Sequence, residues 1–206
     1  MHRYCKALLG VANGLEKLVI WAGTLASWLI LPLVFVIIFD ALFRKFVRFV
    51  PFISDYELYQ FLNSPVLQDL EWHLHAVVFL CSLGYAYVYN AHVRLDIYRP
   101  RLGSRGRLWV EFLGGIGFLL PFLSILIYYA WDFFATAYVM DETGGSGNEI
   151  DNRWLIKSFI LKGPVLLFLS AASILLRLAV RLFGPLEYHE ATRLRSLSDA
   201  SHSAFN

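Results

Sequence analysis

Residues 18–39 read LVIWAGTLASWLILPLVFVIIF, and nothing in that run carries a charge. As an α-helix rising ~1.5 Å per residue it reaches about 30 Å, the thickness of the hydrocarbon core of a bilayer. A run so long and apolar has no place inside a soluble domain of this size, so it predicts a membrane-spanning helix. The composition agrees: 58% of residues are hydrophobic, 17% are charged, and the mean hydropathy is +0.55, a balance that soluble domains seldom show. The net charge of +2 is too small to suggest nucleic acid. Cys5 in the N-terminal tail and Cys81 within an apolar run give neither a disulfide framework nor a thiolate metal site.

The first apolar run exceeds the ~7–15 residues of a signal-peptide core, and Asp40, Arg44 and Lys45 follow it in place of a small-residue cleavage site. It therefore reads as a retained span. Further spans are predicted at about 72–91, 112–138 and 156–182. Between the first two, Phe43, Phe46, Val47, Phe49, Val50 and Phe52 interleave with Arg44, Lys45 and Arg48, the pattern of an amphipathic helix lying at the membrane interface. Val50-Pro51 ends it, because a residue before proline disfavours the α region.

Aromatic residues flank the second span, with Trp72 at its start and Tyr85, Tyr87 and Tyr89 at its end, as expected of headgroup-level belts. Gly114, Gly115 and Gly117 open the third span and permit close helix approach, either to a partner or within the chain's own bundle. Pro121 is placed to kink it. On the fourth span, Lys157 and Lys162 lie in the early turns. Arg177 and Arg181 lie at the end, where long basic side chains can snorkel to the headgroups. The serine-rich segment 183–206 is expected to be a polar tail that frays.

Orientation follows from the basic residues. Arg94, Arg99, Arg101, Arg105 and Arg107 crowd the loop between the second and third spans, whereas Asp141, Glu142, Glu149 and Asp151 occupy the loop after the third. The positive-inside rule then puts both termini in the cytoplasm. The expectation is an all-α integral membrane fold: four tilted transmembrane helices forming one domain over 1–182, with a cytoplasmic tail over 183–206.

Chemistry is hard to place in this bundle. His73 and His75 sit at one end of the second span and His92 at the other, and no other span holds a histidine, so no opposed pair can ligate a haem within one chain. The glycines of Gly144-Gly145-Ser146-Gly147 lie in an acidic loop without a preceding strand, the wrong setting for phosphate. Glu71, Asp132, Lys157 and Lys162 all fall near predicted span ends. The span cores therefore lack the ionisable residues that usually mark an ion or substrate path. The two halves show no inverted repeat either. The chain reads as an accessory subunit, not an enzyme and not a transporting core.

Three motifs carry a resemblance: L-Q-D-L-E-W-H-L-H-A at 67–76, G-Y-A-Y at 84–87 and H-V-R-L-D-I-Y at 92–98. With N-R-W-L-I-K-S-F-I-L-K-G-P at 152–164, they resemble the small membrane subunit, the DctQ-like component, of tripartite ATP-independent periplasmic (TRAP) transporters. The resemblance implies a bacterial inner-membrane protein that braces a large DctM-like elevator subunit driven by a sodium gradient. It also implies a periplasmic substrate-binding protein that delivers organic acids, and contact with membrane lipids. It implies no cofactor, metal or nucleic acid.

Glu71, Trp72, His75, His92, Arg94 and Asp96 are the candidate partner-interface residues. Each has a local alternative: Glu71 and His75 are spaced (i, i+4) and can bond to each other, and Asp96 can pair with Arg99. The rival function is a haem- or quinone-associated membrane anchor of a respiratory oxidoreductase. A self-sufficient small exporter acting as a homodimer is the third reading.

Overall fold

The computed structural model describes residues 2–47, 65–92, 101–142 and 152–192, and among these it contains helices and turns but no strand. Helix α1 is His2–Trp28 and α2 is Ile30–Val47. They form an almost unbroken rod, with only Leu29 between them. Pro32 has no amide to donate to Trp28, and the chain steps over that gap with Leu29 N–H donating to Ala26 O (3.0 Å) and Leu33 N–H to Leu29 O (3.1 Å). The rod from His2 to Phe46 is 45 residues long, so at ~1.5 Å per residue it is about twice the thickness of the hydrocarbon core. The expected span 18–39 is its middle. The N-terminal tail is helical too, and Phe43 and Phe46 of the expected interfacial helix simply continue α2; residues 48–64 lie outside the described residues.

The buried positions of α1 explain why the tail is ordered. Cys5, Leu9, Ala12, Val19, Gly23 and Ala26 are buried, and with Glu16 they recur at alternating steps of four and three, the spacing of a continuous helix seam. Leu33 and Asp40 extend the same seam along α2. The seam lies on α3, Pro65–Val88, and on α6, Trp154–Phe183. The α3–α6 contact is the most extensive in the molecule, and small residues set its closeness. A Cβ on Gly84 would stand 2.7 Å from Leu166 O, and one on Gly163 would stand 3.1 Å from Leu80 Cβ.

The expected third span begins earlier than the sequence indicated. Helix α4, Ser104–Gly114, runs through a π-helical stretch, Gly115–Leu119, into α5, Leu120–Val139, so that part of the expected basic loop is helical. The wide π turn lies immediately before Pro121, where the missing amide would interrupt an α-helical ladder. Of the three glycines, Gly115 faces inward against Leu175, whereas a Cβ on Gly114 or Gly117 would meet nothing within 4 Å. Helices α3 and α5 both end in a Schellman arrangement. Asn90 (φ 55°) and Asp141 (φ 45°) adopt the left-handed conformation, Ala91 N–H donates to Ala86 O (2.8 Å), and Glu142 N–H donates to Ala137 O (3.2 Å).

Arg177 corrects the sequence reading. It does not snorkel: only 8% exposed, it turns into the seam, where its Nη2 donates to Asn13 Oδ1 at 2.6 Å and pairs with Glu16. Ser173 Oγ donates to Ala12 O at 2.9 Å beside it. Nor does the start of the tail fray. Thr192 is fully buried, Ala191 O accepts from Arg177 at 3.4 Å, and Tyr188 packs against Cys5, Leu9 and Val180.

These contacts define an up-and-down bundle with two unlike ends. One end gathers the start of α1, the start of α4 and the end of α6, with Arg3, Lys6, Arg105, Arg107 and Arg181. At the other end Lys157 pairs with Glu142 and stands 4.2 Å from the Phe133 ring. His2–Phe46, Ser104–Val139 and Trp154–Phe183 are the three described helices long and apolar enough to cross a membrane. Helix α3, at 24 residues, has the length but opens with a polar first half.

Candidate functional site

The end of α2 and the start of α3 meet in a cluster of polar groups. Asp40 is 7% exposed, and Arg44 one turn later grips it with both arms of the guanidinium: Nε to Oδ1 at 2.9 Å and Nη2 to Oδ2 at 2.6 Å. Such a bidentate, charge-assisted pair holds its geometry far better than a single contact. The Gln68 amide, turned so that its oxygen faces Arg44, accepts from Nη2 and Nη1 at 2.8 and 2.9 Å. The cluster thereby ties α2 to α3.

One turn further along α3 is Glu71. Its Oε1 is enclosed yet accepts no hydrogen bond among the described residues. An enclosed carboxylate oxygen without a donor is costly, and such atoms call for a partner. Beside it opens a cavity of about 300 Å³ lined by Leu33, Ile37, Glu71, Trp72 and His75. Trp72 is 77% exposed and His75 is exposed as well. An acid, an imidazole and an indole thus share one outward-facing notch. The chemistry available there is recognition: a donor for Glu71, and an apolar surface to cover Trp72.

The other sequence-derived candidates separate from this notch. His92 folds back on α3, its Nε2 hydrogen-bonded to Leu83 O at 3.2 Å and its ring 5.9 Å from that of Tyr87. It serves the end of its own helix, at the opposite end of the bundle from Glu71. Arg94 and Asp96 lie outside the described residues. His73 likewise turns inward along its helix, with Nδ1 2.5 Å from Asp69 O. Asp40, Arg44 and Gln68 join the site although none is among the sequence-derived interface candidates. The signal was present: Asp40 and Arg44 are spaced (i, i+4), and Asp40 falls on the seam that runs from Cys5 through Leu33.

The fold defines a class first: a multi-pass, all-helical membrane protein. Its family is established as well. The family model described as tripartite ATP-independent periplasmic transporters, DctQ component, matches residues 33–181. The chain belongs to that family, and so is a small permease subunit of a TRAP transporter, of the inner membrane, in a family of transporter subunits and not of enzymes. No curated protein and no solved structure matches the chain. Membership selects the transporter reading over the oxidoreductase anchor.

Proposed function

We propose that this chain is the accessory subunit of a sodium-driven transporter for organic acids, and that it braces the fixed scaffold of a large, DctM-like elevator subunit while a periplasmic binding protein supplies the substrate. The family match over residues 33–181 is the observation that carries this reading. The outward notch at Glu71, Trp72 and His75 supports it, because an exposed indole beside an unpartnered enclosed carboxylate oxygen suits a protein contact better than hydrocarbon. Arg94 and Asp96, which follow α3 in the sequence, are the candidates for a second contact, with His92 holding the end of α3 beside them in sequence. Four spans, with α3 as the second and both termini in the cytoplasm, complete the proposal. The concentration of arginine and lysine at one end of the bundle favours that orientation.

The test is co-purification of the tagged chain from its native host after mild solubilisation. A stoichiometric polytopic partner is expected. Together with the soluble binding protein it should take up a carboxylate substrate into proteoliposomes only under an inward sodium gradient, and only when this chain is present. Recovery of a haem- or flavin-bearing enzyme, or of the chain alone, would overturn the reading. Glu71→Ala combined with Trp72→Ala is expected to weaken partner capture by about thirtyfold, the loss of one interface hot spot, without changing the chain's helix content. A reporter fused after Asn206 that is active only in the cytoplasm should be active; silence there would reverse the orientation.

A further inference from the structure

A second feature lies at the opposite, basic end. A cleft of about 640 Å³ opens between the start of α4 and the end of α6, and its polar lining comes from Ser104, Arg105, Arg107, Glu111, Arg181 and His189. Three arginines and a histidine thus face one carboxylate. Arg107 is fixed at the rim, with Nε donating to Leu102 O at 3.0 Å. Neither Arg105 nor Arg181 has an ion-pair partner among the described residues.

The helix start adds to the positive field. Gly103 is extended, no side chain caps the first turn, and that turn contains no acid. Unsatisfied amides and the positive end of the helix dipole therefore point the same way as the arginines. Arginines in a first turn are the reverse of what a helix favours by itself, and an anion seated there turns that opposition into attraction.

The cleft also has an apolar side, with Leu108, Leu182 and Leu186 in its lining, and aromatic rings from the same two helices stand next to it. The Trp109 ring meets Phe183 edge-on at 5.7 Å, and Phe112 meets Phe183 at 6.0 Å. Trp109 and Phe183 remain 38% and 55% exposed. Unpaired basic groups beside exposed aromatic rings and leucines, at the end of a membrane bundle, match the depth where headgroups meet the first carbons of the acyl chains. We propose that this cleft binds the phosphate of an anionic phospholipid, with the arginines on the phosphate and the Trp109–Phe183 edge against the chains. A free phosphate ion would use the first half of the site and leave the second half unoccupied.

The test uses the full-length chain in mild detergent, read by thermal unfolding and by native mass spectrometry. Phosphatidylglycerol is titrated against phosphatidylcholine of the same chains, and against inorganic phosphate. Phosphatidylglycerol should remain bound and raise the melting temperature, while the other two should not. Arg105→Gln with Arg181→Gln should weaken its apparent affinity by about thirtyfold, at roughly one surface cation's contribution each. Lys45→Gln, at the far end of the bundle, should leave it unchanged. If the double variant fails to fold, Arg105→Gln alone, exposed at the helix start, should still weaken binding by about fivefold. Equal stabilisation by both lipids, or unaltered binding by the variants, overturns the proposal. Stabilisation by phosphate alone overturns the lipid as the ligand.

Discussion

Replacing Arg177 by alanine is expected to destabilise the chain by about 3–5 kcal/mol, the cost of leaving a buried ion without its partner. The partner is Glu16, whose side chain is 14% exposed against 10% for Arg177. Asn13 loses a donor as well, and Ala191 O loses its contact with the guanidinium. Because the seam at this point joins α1, α6 and the returning tail, the damage should extend beyond one pair. The N-terminal turns around Cys5 and Leu9 should become protease-sensitive, which limited proteolysis with N-terminal sequencing would detect. The informative companion is Arg177→Met with Glu16→Leu. An apolar replacement for a buried ion pair is often near neutral, and Arg177 Nε already lacks an acceptor, so the double variant should recover most of the loss. If the single variant melts within a degree of wild type, the guanidinium is not holding the seam together. If the double variant is as unstable as the single one, packing rather than charge is at stake.

The second large effect is expected at Gly84. A Cβ there would meet Leu166 O at 2.7 Å and Leu166 C at 2.8 Å, both backbone atoms of α6 that cannot swing aside as a side chain could. Gly84→Leu should therefore separate the two helices that share the largest contact, at about 3 kcal/mol or more for overpacking of this kind. Little folded protein should accumulate in membranes. Gly114→Leu is the matched control, since a Cβ at Gly114 has open space around it, and outward-facing substitutions usually stay within about 0.5 kcal/mol. Fluorescence-detected size exclusion of the two variants, followed by thermal unfolding, separates the outcomes. Equal behaviour would mean that the α3–α6 crossing is not as close as the structure places it.

Much of this architecture was legible in the sequence because membrane helices declare themselves by length and by lack of charge. The uncharged run 18–39 and the apolar stretch that begins at Trp154 needed no tertiary information, since hydrocarbon imposes its requirement on each helix separately. The family was legible too, from motifs gathered around Glu71, Trp72 and His92. Helix ends were less so: Asn90 and Asp141 terminate α3 and α5 by adopting a left-handed conformation that their short polar side chains tolerate, where a glycine would have been the clearer sign.

Where the charges near the helix ends point follows from the packed bundle alone. Glu16, Asp40 and Arg177 each look like residues at the water boundary when a span is scanned for hydropathy. Glu16 and Asp40 lie on the same seam as Cys5, Leu9 and Val19, and Arg177 reaches across to Glu16 from α6. The same holds for the glycines, of which Gly115 is buried against Leu175 while Gly114 and Gly117 are open. That these helices enter a membrane is written in the order of their residues, because burial in lipid depends on average hydropathy along a segment. The assembled bundle decided which side chain faces which neighbour, because facing depends on helix rotation and crossing, and both are set by the packing of the other helices.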